Sequence, residues 1–139
     1  WHSLDPWPDA VAALQRLKRR YIIAPLSNGN IRLMVDVAKR AGLPWDAILG
    51  AEVVRAYKPS PQVYSDTVEI LGIEPAELCL VAAHNGDLAA ARRQGLSTAF
   101  VLRPTEHGPG QTTDLRAVDQ WDFDVKDLNE LADRLGCPG

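Results

Sequence analysis

Residues 78–102 read LCLVAAHNGDLAAARRQGLSTAFVL, and their order decides the fold. Leu78 to Ala83 is a short apolar run of strand length and reads as a buried strand. A polar cluster, His84-Asn85-Gly86-Asp87, follows it. Asp87 to Gln94 has room for a short helix, which Gly95 stops. Ser97 to Leu102 is then a second apolar run of strand length. Strand, helix and strand in this order make a βαβ unit, with parallel strands and a right-handed crossover.

The same alternation extends in both directions. Upstream, Asp5-Pro6 and Pro8 open a helix that carries Val11, Leu14 and Leu17 to about Arg20. Its basic end, RLKRR at 16–20, reads as a solvated helix terminus favoured by the macrodipole. Tyr21 to Leu26 (YIIAPL) reads as a strand, and Ser27-Asn28-Gly29-Asn30 as a loop. A helix over 31–41 ends at Gly42. Ile48 to Val54 (ILGAEVV) is a further, weaker strand candidate. Tyr57-Lys58-Pro59-Ser60-Pro61 must be an open loop, since each proline disfavours helix in its predecessor. Ser60 is placed to cap the next helix, which carries Val63, Tyr64, Thr67 and Leu71 and stops at Gly72. Downstream, 104–113 is a Gly-, Pro- and Thr-rich loop, 123–125 a short strand and 127–135 a helix. The expected architecture is α/β: a Rossmann-like three-layer sandwich around a mostly parallel sheet, in one domain spanning 1–139.

Composition narrows the function classes. The 139 residues are 46% hydrophobic and 24% charged, as in an ordinary globular protein. A net charge of -3 with no basic stripe argues against nucleic acid as a partner. No apolar run reaches membrane-spanning length, so no membrane partner is expected. Cys79 falls in an apolar run and is expected to be a buried thiol, whereas Cys137 falls in the C-terminal tail. Two such cysteines make no disulfide framework, and a reducing cytoplasm is the expected setting.

In open parallel sheets, chemistry sits beyond the carboxyl ends of the strands. That rule selects three clusters. Ser27-Asn28-Gly29 offers a hydroxyl, an amide and backbone N–H groups able to hold an anion, or else a plain strand-to-helix turn. Lys58, fixed before Pro59, is a positioned point charge or a solvated loop lysine. His84 and Asp87 are site residues, or else Asp87 is a helix N-cap and His84 structural.

Taken in order, PLSNG around Ser27, YKPSPQVY around Lys58 and VAAHNGDLAAARRQGL around Asp87 resemble three successive motifs of the haloacid dehalogenase superfamily. SNG after a strand and YKPxPxVY resemble the L-2-haloacid dehalogenase branch in particular. The resemblance covers nearly the whole chain. It implies hydrolysis of a small 2-haloalkanoic acid through an aspartyl ester, with no cofactor and no metal. Lys58 and Asp87 are then catalytic, while Ser27, Asn28, Tyr64 and His84 contact the substrate. Ala82 and His84 depart from the Ser and Asn of the best-known members, which leaves substrate preference open. A phosphatase of the same fold, acting on a small phosphorylated metabolite, is the alternative; one carboxylate and one His in the Asp87 loop make a poor magnesium site. A non-catalytic α/β module is the third reading.

The family nucleophile is an Asp on a first strand, in a DxxxT-like setting, and residues 1–20 contain no such strand. The chain also starts at Trp1. The expectation is therefore a fragment, whose first strand and most of whose cap lie upstream as a missing segment of the same protein. That strand is expected between those at 21–26 and 78–83. A homodimer is left open.

Overall fold

The computed structural model describes residues 6–137. Asp5, expected to help open the first helix, lies outside them. By its internal contacts the chain divides into two compact units, one made of residues up to Lys58 with those from Leu128 onward, the other Pro59–Asp127. No described helix is long and apolar enough to cross a membrane.

The first unit begins with α1 (Ala10–Lys18), which packs on α6 (Leu128–Arg134). Leu14 and Leu17 of α1 are buried with Ala132 and Cys137, and Ile23, Leu43, Trp45 and Leu135 pack around them. Cys137 is thus a core residue, contrary to its reading as part of a tail. Asp9 precedes α1, and its Oδ2 accepts the Leu128 N–H at 2.8 Å, which caps α6 from a distant part of the chain.

The 16–20 run is more than a solvated terminus. Arg16 pairs with Asp133 at 2.6 Å and donates to the Cys137 carbonyl, and Arg20 donates to the carbonyls of Leu135 and Gly136. Lys18 Nζ donates to the Pro44 carbonyl. Arg16 and Arg20, at the basic end of α1, thus hold the carbonyls of the three residues that follow α6.

β1 is only Leu26–Ser27, paired in parallel with β2, Leu49–Gly50. The expected strand over 21–26 therefore shrinks to its last residue plus Ser27. Pro25 has no N–H to give to a ladder, and Tyr21 and Ile22 are exposed. The candidate over 48–54 divides: after β2 the chain turns into α3 (Ala51–Val54). Gly50 makes that approach possible. Its φ is +139°, and a Cβ there would lie 2.1 Å from the Ser27 carbonyl oxygen. α2 (Ile31–Ala41) runs as expected, with Gly42 in the left-handed conformation at its end.

The second unit holds α4 (Pro61–Leu71), a 3₁₀ turn (Pro75–Glu77), β3 (Cys79–Ala82), α5 (Asn85–Arg93), β4 (Ser97–Val101) and β5 (Phe123–Val125). The three strands form a parallel sheet in the order β3-β4-β5. Val63, Tyr64 and Val68 of α4, Leu88 and Ala91 of α5, and Ala99, Phe100 and Val125 of the sheet are buried. Ser60 occupies the cap position of α4 without a side-chain bond, and Gly72 ends the helix.

β3 departs from expectation. It alternates between buried and exposed residues, and Cys79 and Val81 are exposed. Such alternation marks a strand covered on one face by the described residues, not on both. Among the described residues the strands form two sheets, with no ladder joining β1 to β3.

Candidate functional site

Three of the predicted residues lie in the first unit. Ser27 ends β1, and its Oγ accepts the Gly29 N–H at 2.9 Å, closing a tight turn. Asn30 then caps α2 by accepting the Leu33 N–H at 2.7 Å. Between them, the Asn28 amide reaches across to Lys58. Its Oδ1 accepts the Lys58 N–H at 2.8 Å, and its Nδ2 donates to the Lys58 carbonyl at 3.3 Å. Both polar groups of one backbone residue are thereby held by one side chain. With Pro59 limiting the backbone from the other side, the Lys58 Cα is fixed and its side chain has a defined origin. Glu52 of α3 ties the start of α2 by accepting the Ile31 N–H. The structure brings Ser27, Asn28 and Lys58 together. The Asn28–Lys58 bonds have no sequence signature beyond the two motifs themselves.

The other three lie in the second unit. Tyr64 is fully buried on α4 and donates to Asp87 Oδ1 at 2.5 Å. Burial first, then the bond to Asp87 and its charge, push the phenol pKa well above its ordinary value. The proton therefore stays on Tyr64 and the carboxylate accepts. Asp87 is not the N-cap of α5: it sits in the first turn, where the N-terminal dipole favours a carboxylate, and the cap position falls to His84.

The His84 ring turns to Glu106, with Nε2 2.7 Å from Oε1, and its side chain is half exposed. Glu106 and His107, which face it, went unnoticed because they lie in a long loop with no periodicity.

Asn85, one of the polar cluster after β3, organises this end of the sheet. Its buried side chain donates to Asp114 Oδ1 and the Arg116 carbonyl, and accepts from Val118 N and Trp121 Nε1, all within 3.0 Å. Asp114 meets it with φ at +55°, a left-handed conformation that Asp tolerates. The guanidinium of Arg92 lies 4.0 Å over the Trp121 ring. The signal available in the sequence was an Asn directly after a strand, a position whose amide can bond the backbone of a passing loop.

A family model for a haloacid dehalogenase-like hydrolase matches residues 1–95. The (S)-2-haloacid dehalogenase 4A of Burkholderia cepacia is 35% identical over 106 residues, which cover 74% of this chain and 46% of that protein. The crystal structure of a defluorinating L-2-haloacid dehalogenase superposes with a TM-score of 0.96 at 54% identity, covering 99% of this chain and 56% of the other. A second L-2-haloacid dehalogenase superposes with a TM-score of 0.96 at 52% identity, covering 98% and 58%. The chain spans about half the length of the curated relatives it matches. The α/β architecture with parallel strands and a family match over residues 1–95 agree: this chain belongs to the haloacid dehalogenase-like hydrolases.

Proposed function

We propose that the protein to which this chain belongs is a hydrolytic (S)-2-haloacid dehalogenase. The observation that carries the reading is the two-bond hold of Asn28 on the Lys58 backbone, since it fixes a cation in the loop where this chemistry needs one. The relatives named (S)-2-haloacid dehalogenase support it. The nucleophile is an Asp carboxylate supplied upstream of Trp1, on the strand that completes a single core domain. It attacks the halogen-bearing carbon, a carbon–oxygen bond forms, and halide leaves with the bonding electron pair. Water then adds to the ester carbonyl, which releases the 2-hydroxy acid, regenerates the carboxylate and yields a proton.

Lys58 balances the charge of the nucleophile. Asp87, held by Tyr64, orients nucleophile and water. Ser27 and Asn28 hold the substrate carboxylate, with Tyr64 and His84 lining the substrate. The proposal includes a cytoplasmic setting, for which two free thiols speak. The oligomeric state, which the sequence leaves open between monomer and homodimer, is read by sedimentation of the full-length protein.

The test is halide release from (S)-2-chloropropionate by the full-length protein and its Lys58→Met variant. Loss of one member of a catalytic charge set costs several kcal/mol of transition-state stabilisation, so turnover should fall by about a thousandfold or more while the fold persists. Activity should survive EDTA. Near-normal turnover by the variant removes Lys58 from the site. Strict Mg²⁺ dependence with phosphate release establishes the phosphatase instead.

A further inference from the structure

The sheet topology brings together a group of side chains that the proposed reaction does not use as a set. β3 and β4 are parallel neighbours, so the residue after β3 and the loop after β4 emerge on the same edge. His84 follows β3; Glu106 and His107 lie in the loop after β4. The two imidazole rings are stacked, 6.2 Å between centroids and 12° from parallel. The Glu106 carboxylate reaches both, 2.7 Å from His84 Nε2 and 3.7 Å from His107 Nε2. One donor atom from each of the three residues lies within 4.8 Å of the others.

We propose that His84, Glu106 and His107 bind a divalent transition-metal ion of the Zn²⁺ class, at a site that shares His84 with the proposed substrate lining but takes no part in the dehalogenation steps. Zn²⁺ takes imidazole nitrogen and carboxylate oxygen at about 2.0–2.2 Å, which sets tetrahedral donors roughly 3.4 Å apart. The widest donor pair would close by up to about 1.4 Å and the 2.7 Å His84–Glu106 pair would open by about 0.7 Å, and all three side chains are solvent-accessible. Two neutral imidazoles and one carboxylate suit Zn²⁺, Co²⁺, Ni²⁺ or Cu²⁺, whereas Mg²⁺ and Ca²⁺ want oxygen. Water completes the fourth position.

The loop is ordered before any ion arrives. Gln111 Oε1 accepts the His107 N–H at 2.9 Å, and Gln111 Nε2 donates to the carbonyls of Arg103 and Thr113. An ion bound here ties that loop to the end of β3, three residues before Asp87.

The test is a calorimetric titration of the untagged full-length protein with Zn²⁺ in a non-chelating buffer. One ion should bind per chain. Glu106→Gln and His107→Ala should each weaken binding by at least about tenfold, the cost even of an outer-sphere partner. Both lie in an exposed loop, and circular dichroism should report an unchanged fold. Co²⁺ at the same stoichiometry should give visible d–d absorption without the near-ultraviolet sulfur-to-metal band that Cys79 or Cys137 would produce. No binding, binding that either variant leaves intact, or a thiolate band overturns the assignment.

Discussion

The loops Ser27–Asn30 and His84–Asp87 have the same position in the fold: each follows a parallel strand and leads into a helix. They are held by different means. The first ends a two-residue strand, and its Ser27, Asn28 and Asn30 bonds are made by exposed or half-exposed groups. The second ends a four-residue strand, and its central Asn85 is buried with both polar atoms of the amide fully used. A hydrogen bond open to water exchanges one partner for another at little net gain, whereas a buried one broken on one side leaves an unpaired group at full desolvation cost. The first loop should therefore be soft and its bonds functional. The second should be rigid and its bonds structural.

The largest expected effect breaks the rigid loop. Asn85→Ala strips partners from Arg116 O, Val118 N and Trp121 Nε1 at once. With roughly 1–3 kcal/mol for each group that stays buried, the loss should be about 3 kcal/mol or more, read as a lowered urea midpoint at constant slope. A loss below about 1 kcal/mol would mean that water satisfies these groups, and the contrast between the loops would fail.

Asn28→Ala sharpens the contrast from the other side. Stability should fall by no more than about 1 kcal/mol, because water replaces the amide at an exposed position. Turnover should fall much further, by roughly 10–100-fold in kcat, because the Lys58 backbone loses its two-sided hold and misplacement by an ångström is costly. The split between kcat and KM tells positioning from substrate contact. A fall in kcat at near-constant KM shows that placing Lys58 outweighs the contact of Asn28 with the substrate carboxylate. A rise in KM alone would show the reverse.

The elements bounded by strong punctuation were legible in the sequence. Asn30 and Gly42 frame α2, Pro61 and Gly72 frame α4, and Gly95 separates α5 from β4, all within about a residue of the observed bounds. Where the chain deceives, backbone chemistry overrides composition. YIIAPL is apolar enough for a strand, but Pro25 breaks the ladder and Ile22 is 77% exposed. In ILGAEVV, two β-branched valines hide a one-turn helix that Gly50 alone makes possible.

The candidate site was legible as positions, because loops after parallel strands concentrate polar residues. Its partnerships were not. Asn28 holds a backbone 30 residues away, and His84 meets a carboxylate 22 residues on. Neither bond leaves a periodic trace, since each depends on which loops the fold of its own unit sets side by side.

The smallest expected effect lies at Asp46, where the first unit holds its own chain with a charge at the surface. Asp46 Oδ2 accepts the Ile23 N–H at 2.8 Å, Asp46 N donates back to the Ile23 carbonyl, and Lys18 Nζ stands 3.3 Å from Oδ1. The backbone bond from Ile23, with a smaller contribution from Lys18, holds the carboxyl below its ordinary value of 3.8. A carboxyl whose pKa is lowered by folding contributes stability above its unfolded value, and loses it as pH falls through the folded value. Asp46→Asn should therefore cost a little at pH 7, less than either substitution above, because exposed pairs contribute little and salt screens them. The difference from the parent protein should stay constant from pH 7 to about 5, then narrow below pH 4 as the parent's own carboxyl protonates. Thermal unfolding of both proteins across that range reads it directly. A difference that widened on acidification would mean the carboxylate is destabilising as it stands, and that the Ile23–Asp46 pairing owes nothing to its charge.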